Sequence, residues 1–225
     1  MRRCSKAVEK ITSLNSTALE GRRNYPSRMT RVLLTAFKPY DRWQQNASWL
    51  AVVEFTKDKP ATPDIVTRVY DVDFDLVRDQ LAKDLAEDYD YALHVGQAPG
   101  STRVQLEAFG VNIGGHSRQL PDEFAPLISG GPPAYQSELP LASLAGKLRE
   151  AEIPAQVSYH AGTYLCNATM YLGHHLAATM GLKTKSTFVH LPLDTSQVMD
   201  QEEILPSLPA AQSAKALQII VASLD

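Results

Sequence analysis

Residues 155–181 carry the pattern on which the fold turns. They read Ala155-Gln156-Val157-Ser158-Tyr159, then His160-Ala161-Gly162-Thr163-Tyr164-Leu165-Cys166-Asn167, then a run from Ala168 to Met180 that stops at Gly181. The first segment has the brevity of a β-strand. The last has helical length and ends on the residue that most readily takes a left-handed cap. Strand, short loop and helix in this order make one βα unit, and Cys166 sits at its turning point. Backbone N–H groups at a helix start have no carbonyl partner, and that positive end favours thiolate over thiol.

The same alternation continues on both sides. Arg31–Ala36 is a short apolar run, a buried strand. Trp43–Lys57 has helical spacing in Trp43, Ala47, Leu50 and Val53, and Asp73–Asp88 in Phe74, Val77, Leu81 and Leu85. Strands are expected at Asp64–Val72, Tyr91–Val95 and Thr187–Leu191, and one or two within Arg103–Ile113. Further helices are expected at Ser137–Glu150 and Ala210–Leu224, with a loop over Asp194–Pro209. Ser117–Tyr135 reads as an irregular Pro- and Gly-rich loop, longer than the ~12–15 residues usual for a structureless connection, which suits a substrate-covering or assembly role. The whole predicts an α/β fold: a three-layer α/β/α sandwich with a mostly parallel central sheet. Ligands in such sheets bind beyond the carboxyl ends of the strands, where residues 37–46, 96–102, 161–166 and His190 fall. Cys166 and His190 are one helix and one short loop apart, which predicts the same edge of adjacent strands.

Composition narrows the class. The 225 residues are 44% apolar, enough for a real core, and the net charge of −3 argues against a dedicated nucleic-acid binder. Two cysteines, Cys4 and Cys166, make no disulfide framework and fit a reducing, cytoplasmic setting. No apolar run reaches the roughly 18–20 residues of a membrane span. Residues 1–28 stand apart, with seven Lys/Arg against two Glu and no apolar signal region. They are expected to be a misassigned start before Met29, a disordered basic tail or an organelle-targeting peptide, followed by a single domain over 29–225.

A cysteine hydrolase needs a thiolate, a histidine and a group that orients the histidine. His190 lies in Phe188-Val189-His190-Leu191-Pro192, an apolar strand end. Glu107 lies in Gln105-Leu106-Glu107-Ala108-Phe109, where a carboxylate is costly unless paired, and imidazole is one partner that pairs it. From spacing alone, each residue also has a plain reading: an inert buried thiol, a core histidine, an edge glutamate. Other signals point away from metals. There is no Cys-x-x-Cys or His-Glu-x-x-His, and the adjacent His174 and His175 face different sides of their helix.

Taken together the motifs resemble the pyroglutamyl peptidase I (pyrrolidone-carboxylate peptidase) family. The likeness is carried by Gly162-Thr163-Tyr164-Leu165-Cys166-Asn167, by His94-Val95-Gly96-Gln97-Ala98 with Glu107 ten residues beyond Gln97, and by Phe188–Pro192. Leu34-Thr35-Ala36-Phe37-Lys38-Pro39-Tyr40 and Pro132, Ala134 and Tyr135 add to it, so that it spans about Arg31 to Leu224. The resemblance implies Cys166 as nucleophile, His190 as general base and acid, and Glu107 orienting His190. It implies removal of N-terminal pyroglutamate from peptides, with no metal or cofactor, by a homo-oligomer (dimer or tetramer). It further implies that Phe37, Tyr40, Asn46, Gln97, Tyr164 and Leu165 bind the substrate, with Asn46 or Gln97 hydrogen-bonding the lactam. The chain departs from the family at Asp41-Arg42, where Gly-Gly is usual, and at Ser101, where an arginine near the oxyanion is usual, with Arg103 as a nearby substitute. These departures leave two rival expectations: an amidase or peptidase for another blocked N-terminus, or a binding protein without turnover.

Overall fold

The computed structural model describes residues 28–116 and 118–224; the basic segment up to residue 27, with Cys4, lies outside the described residues. The first strand, β1 (Arg31–Phe37), shows why a sheet buried on both faces forms here. Its residues are almost continuously apolar, and they divide by parity. Val32, Leu34 and Ala36 enter one core with α1 (Ala47–Lys57), α3 (Leu141–Glu150) and α6 (Ala210–Val221). Leu33 and Phe37 enter a second core with α2 (Phe74–Leu85) and α4 (Leu165–Met180). The result is three layers, helices on both faces of one sheet.

That sheet also contains β2 (Asp64–Tyr70), β3 (Tyr91–Gln97), β4 (Val104–Glu107), β7 (Ala155–Ser158) and β8 (Lys185–Leu191). The spatial order is β2-β1-β3-β8-β4-β7. Strands β1, β2, β3 and β8 run parallel, whereas β4 runs antiparallel to β8 and parallel to β7. One expectation needs correction. The strand that precedes Cys166, β7, is not adjacent to the strand that carries His190. β4 lies between them, and β7 points the opposite way from β8. The chain therefore reverses over residues 159–164 to start α4 above β3 and β8.

Local chemistry sets the boundaries. Helix α1 begins at Ala47 and not at Trp43, because the Asn46 side chain caps it, accepting from the Ser48 N–H at 3.0 Å. Asp73 caps α2 in the same way. Helix α4 starts at Leu165, so Cys166 belongs to its first turn, and it stops at Gly181 in the left-handed conformation (φ 68°). Arg103–Ile113 holds two strands in different sheets: β4, and β5 (Phe109–Val111), which pairs with β6 (Ala134–Gln136). The long loop thus ends in a strand, and also contains a short 3-10 turn, Pro121–Glu123. The expected loop Asp194–Pro209 contains α5 (Thr195–Val198), closed by a capping box between Asp194 and Gln197.

Candidate active site

His190 is the penultimate residue of β8, and Glu107 the last of β4. In the antiparallel register Gln105 faces His190 and Glu107 faces Phe188, which makes Glu107 the diagonal neighbour of His190 on the same side of the sheet. Glu107 Oε1 lies 2.7 Å from His190 Nδ1, with Glu107 fully buried and His190 8% exposed. The glutamate that looked costly in an apolar strand thus has its imidazole. With Nδ1 committed, Nε2 is the nitrogen left for Cys166, whose sulfur is within hydrogen-bonding reach of the ring. Burial alone pulls the His190 pKa down. The negative charge of Cys166, its hydrogen bond and the bond and charge of Glu107 outweigh burial and hold the pKa at about 10.

Gly96 makes this proximity possible. It pairs in register with His190, and a Cβ placed on it would lie 2.9 Å from Cys166 Sγ and 2.6 Å from the Phe188 ring. Only a residue with no side chain lets the first turn of α4 come down on the sheet here. Asn167 anchors the same turn from the other side. Fully buried, it accepts from the Val111 N–H at 2.8 Å and donates to the carbonyls of Val111 and Ile113, both at 2.9 Å.

Two concavities meet at the sulfur. The smaller is lined by Phe37, Val72, Tyr164, Leu165 and Cys166, with polar groups from Tyr40, Asn46 and Gln97. All six residues assigned to substrate by resemblance therefore line one apolar slot. The larger is an open cleft walled by Tyr40, Asp41, Arg42 and Trp43 on one side and by His116, Arg118 and residues 161–164 on the other, with Cys166 and His190 at its base.

Within the slot the polar residues have different tasks. Asn46 is committed to the backbone: Oδ1 accepts from Ser48 and Nδ2 donates to the Lys38 carbonyl at 3.1 Å. It shapes the loop, and its cap bond explains its presence without a lactam. Gln97 is different. Its Oε1 accepts from the Ala47 N–H and from Gln197 Nε2, each at 2.8 Å, while its Nε2 is buried with no partner among the described residues. The Tyr40 hydroxyl lies beside Gln97, and burial first, then the charge of Cys166, pushes its pKa up to about 12, so it stays protonated.

The departures resolve structurally. Asp41 takes φ 51°, a conformation that suits glycine and that aspartate tolerates. Asp41 and Arg42 line the open cleft and not the slot. Asp41 pairs with Arg118 at 2.5 Å; Arg42 pairs with Glu203 at 2.7 Å and stacks on Trp43. Ser101 bonds Gln105 Nε2 at 2.8 Å. Arg103 is exposed and directed at Gln156, and it lines neither concavity that contains Cys166, so it does not replace the family arginine. Three contributors escaped the sequence reading: Val72, taken as a strand end; Asn167, seen only as a neighbour of Cys166; and Gln197, within a presumed loop. A buried Asn at a helix start was the one available signal. Among the described residues no group of three or more His, Cys, Asp or Glu is disposed to hold a metal ion, and no helix is long and apolar enough to cross a membrane.

Fold and site together define a class, the cysteine peptidases: an α/β/α sandwich with a helix-start cysteine beside a histidine. Comparison with known proteins narrows it. The family model described as pyroglutamyl peptidase matches residues 30–224. The pyrrolidone-carboxylate peptidase of Thermococcus onnurineus is 34% identical over 198 residues, covering 85% of this chain and 96% of that protein. That of Clavibacter michiganensis is 36% identical over 201 residues, covering 86% and 92%. A mutant pyrrolidone carboxyl peptidase from Pyrococcus furiosus superposes with a TM-score of 0.78 at 32% identity, over 86% of this chain and 97% of the other. The chain belongs to the pyroglutamyl peptidase family.

Proposed function

We propose that this cysteine peptidase removes the N-terminal pyroglutamyl residue from peptides through Cys166, His190 and Glu107. The observation that carries the reading is the sulfur's position. Cys166 stands where a closed apolar slot meets an open cleft, beside a histidine bonded to a buried glutamate. Pyroglutamate is a flat neutral lactam. Such a ring needs an apolar slot and a few hydrogen bonds, and the unpartnered Gln97 Nε2 is a donor for its carbonyl. The rest of the peptide then leaves through the cleft.

The chemistry follows from these placements. His190 takes the Cys166 proton, and the sulfur adds to the pyroglutamyl carbonyl carbon. The oxyanion receives the free Cys166 N–H in the first turn of α4. As the C–N bond breaks, His190 gives its proton to the leaving amine, and a thioester remains. Water then loses a proton to His190 and attacks the thioester. The C–S bond breaks, the proton returns to sulfur and pyroglutamate departs. Glu107 holds Nδ1 and stabilises the imidazolium through both halves. Assembly into a dimer or tetramer is part of the same reading, and light scattering checks it.

The test is release of a fluorogenic amine from an L-pyroglutamyl amide under reducing conditions, with Cys166→Ala beside it. Turnover that vanishes in the variant is the expected result. No turnover with rapid iodoacetamide alkylation of Cys166 would move the assignment to another blocked N-terminus. No turnover and a sluggish thiol would sink the peptidase mechanism.

A further inference from the structure

We infer that Gln197 is a positioning residue for the lactam: it holds the Gln97 amide in the orientation that presents a donor to the slot. The inference rests on the slot being the pyroglutamyl pocket. A glutamine amide is nearly symmetric in shape, so its partners decide which end points where. At Gln97 those partners are the Ala47 N–H and Gln197 Nε2, both 2.8 Å from Oε1. The Ala47 N–H can only donate, so the oxygen must face it. Gln197 is fixed by the same logic. Its Oε1 accepts from the Asp194 N–H at 2.8 Å, which turns its Nε2 toward Gln97 and toward the Gln45 carbonyl at 3.0 Å. Two backbone donors, one at each end, thus determine both amides.

What remains is Gln97 Nε2, 4% exposed as a residue, without a protein acceptor, at the wall of an apolar slot. A five-membered ring with a carbonyl satisfies it. A ring of the same size without one leaves it buried and unpaired, which is how a polar site rejects a close analogue. The preference for lactam over plain ring is therefore set by α5, an element that lines no part of the slot.

The experiment compares kcat/KM for an L-pyroglutamyl amide and the matching cyclopentanecarbonyl amide in wild type, Gln197→Glu and Gln197→Met. Glutamate keeps the acceptor for the Asp194 N–H and loses the donor to Gln97; methionine removes both without adding charge. The lactam preference should fall roughly 10–100-fold in both variants, through KM for the pyroglutamyl substrate. The iodoacetamide alkylation rate of Cys166 should hold, because the sulfur and His190 are untouched. An unchanged preference, or equal losses on both substrates, would overturn the inference and leave Gln197 a mere helix cap. A wild type with no lactam preference would instead overturn the reading of the slot, and the inference with it.

Discussion

The two ring nitrogens of His190 have different partners, and this division predicts how the site responds to change. Glu107 holds Nδ1 at 2.7 Å and Nε2 is left for the sulfur. Glu107→Gln keeps the shape and removes the charge. We expect kcat to fall on the order of 10³-fold or more. The alkaline limb of the pH–rate profile should move to lower pH, because one cause of the raised His190 pKa is gone. A limb that stays in place would show that Glu107 does not tune His190. Gly96 offers a second test at this scale. An added Cβ at 2.9 Å from the sulfur and 2.6 Å from the Phe188 ring must displace one of them. Gly96→Ala should lose roughly 10²-fold or more in kcat/KM. Full activity in a folded Gly96→Ala enzyme would mean that the sulfur has another productive position.

Among the elements, α4 divides cleanly into a working end and a structural end. Its first turn carries Cys166 over the sheet, held by Gly96 below and by Asn167 bonded to β5. Its last turn ends at Gly181, where φ is 68° and a side chain would be strained. Gly181→Ala should cost about 1–2 kcal/mol in urea unfolding and leave kcat/KM unchanged. A large loss of activity in that variant would contradict the division. Helix α5 shows the opposite economy. Four residues long, it has little stability of its own, yet its capping box and the second Asp194 oxygen, 2.6 Å from the Ala210 N–H, tie it to the start of α6.

For the whole molecule, three buried histidines set a pH window. Burial, then the charge of His174, lowers the His94 pKa to about 3, and burial lowers that of His174 to about 4. Both are neutral in the native state. Unfolded histidine titrates near ~6.5, so below that pH the unfolded chain takes up protons the native state refuses. Their contribution is present above pH ~6.5 and is lost as pH falls toward 4 and 3. His190 acts in the other sense: held at about 10, it contributes fully below pH ~6.5 and loses that contribution as pH rises through about 10. Stability from these groups is therefore greatest near pH ~6.5. Urea midpoints between pH 4 and 10 should show the acid limb flatten in His174→Gln and the alkaline limb flatten in Glu107→Gln. Limbs identical to wild type would assign the window to other groups.

The sequence by itself determined the layered architecture, because hydrophobic periodicity and cap residues are local. The apolar run of β1, the Leu81–Leu85 face of α2 and the stop at Gly181 need no partner to be read. It also carried the six slot residues and the cysteine, histidine and glutamate, because their motifs are short and contiguous. The tertiary structure alone decided the rest. That β4 lies between β7 and β8, and runs against β8, depends on hydrogen bonds between strands some 80 residues apart, which no local pattern encodes. The same pairing puts Glu107 diagonal to His190. Asn46 read as a lactam ligand because a side chain's partner cannot be seen from its type, and folding gave its oxygen to Ser48. Gln197 was invisible for the same reason. Its effect passes through Gln97, exactly one hundred positions away in the chain and 2.8 Å away in space.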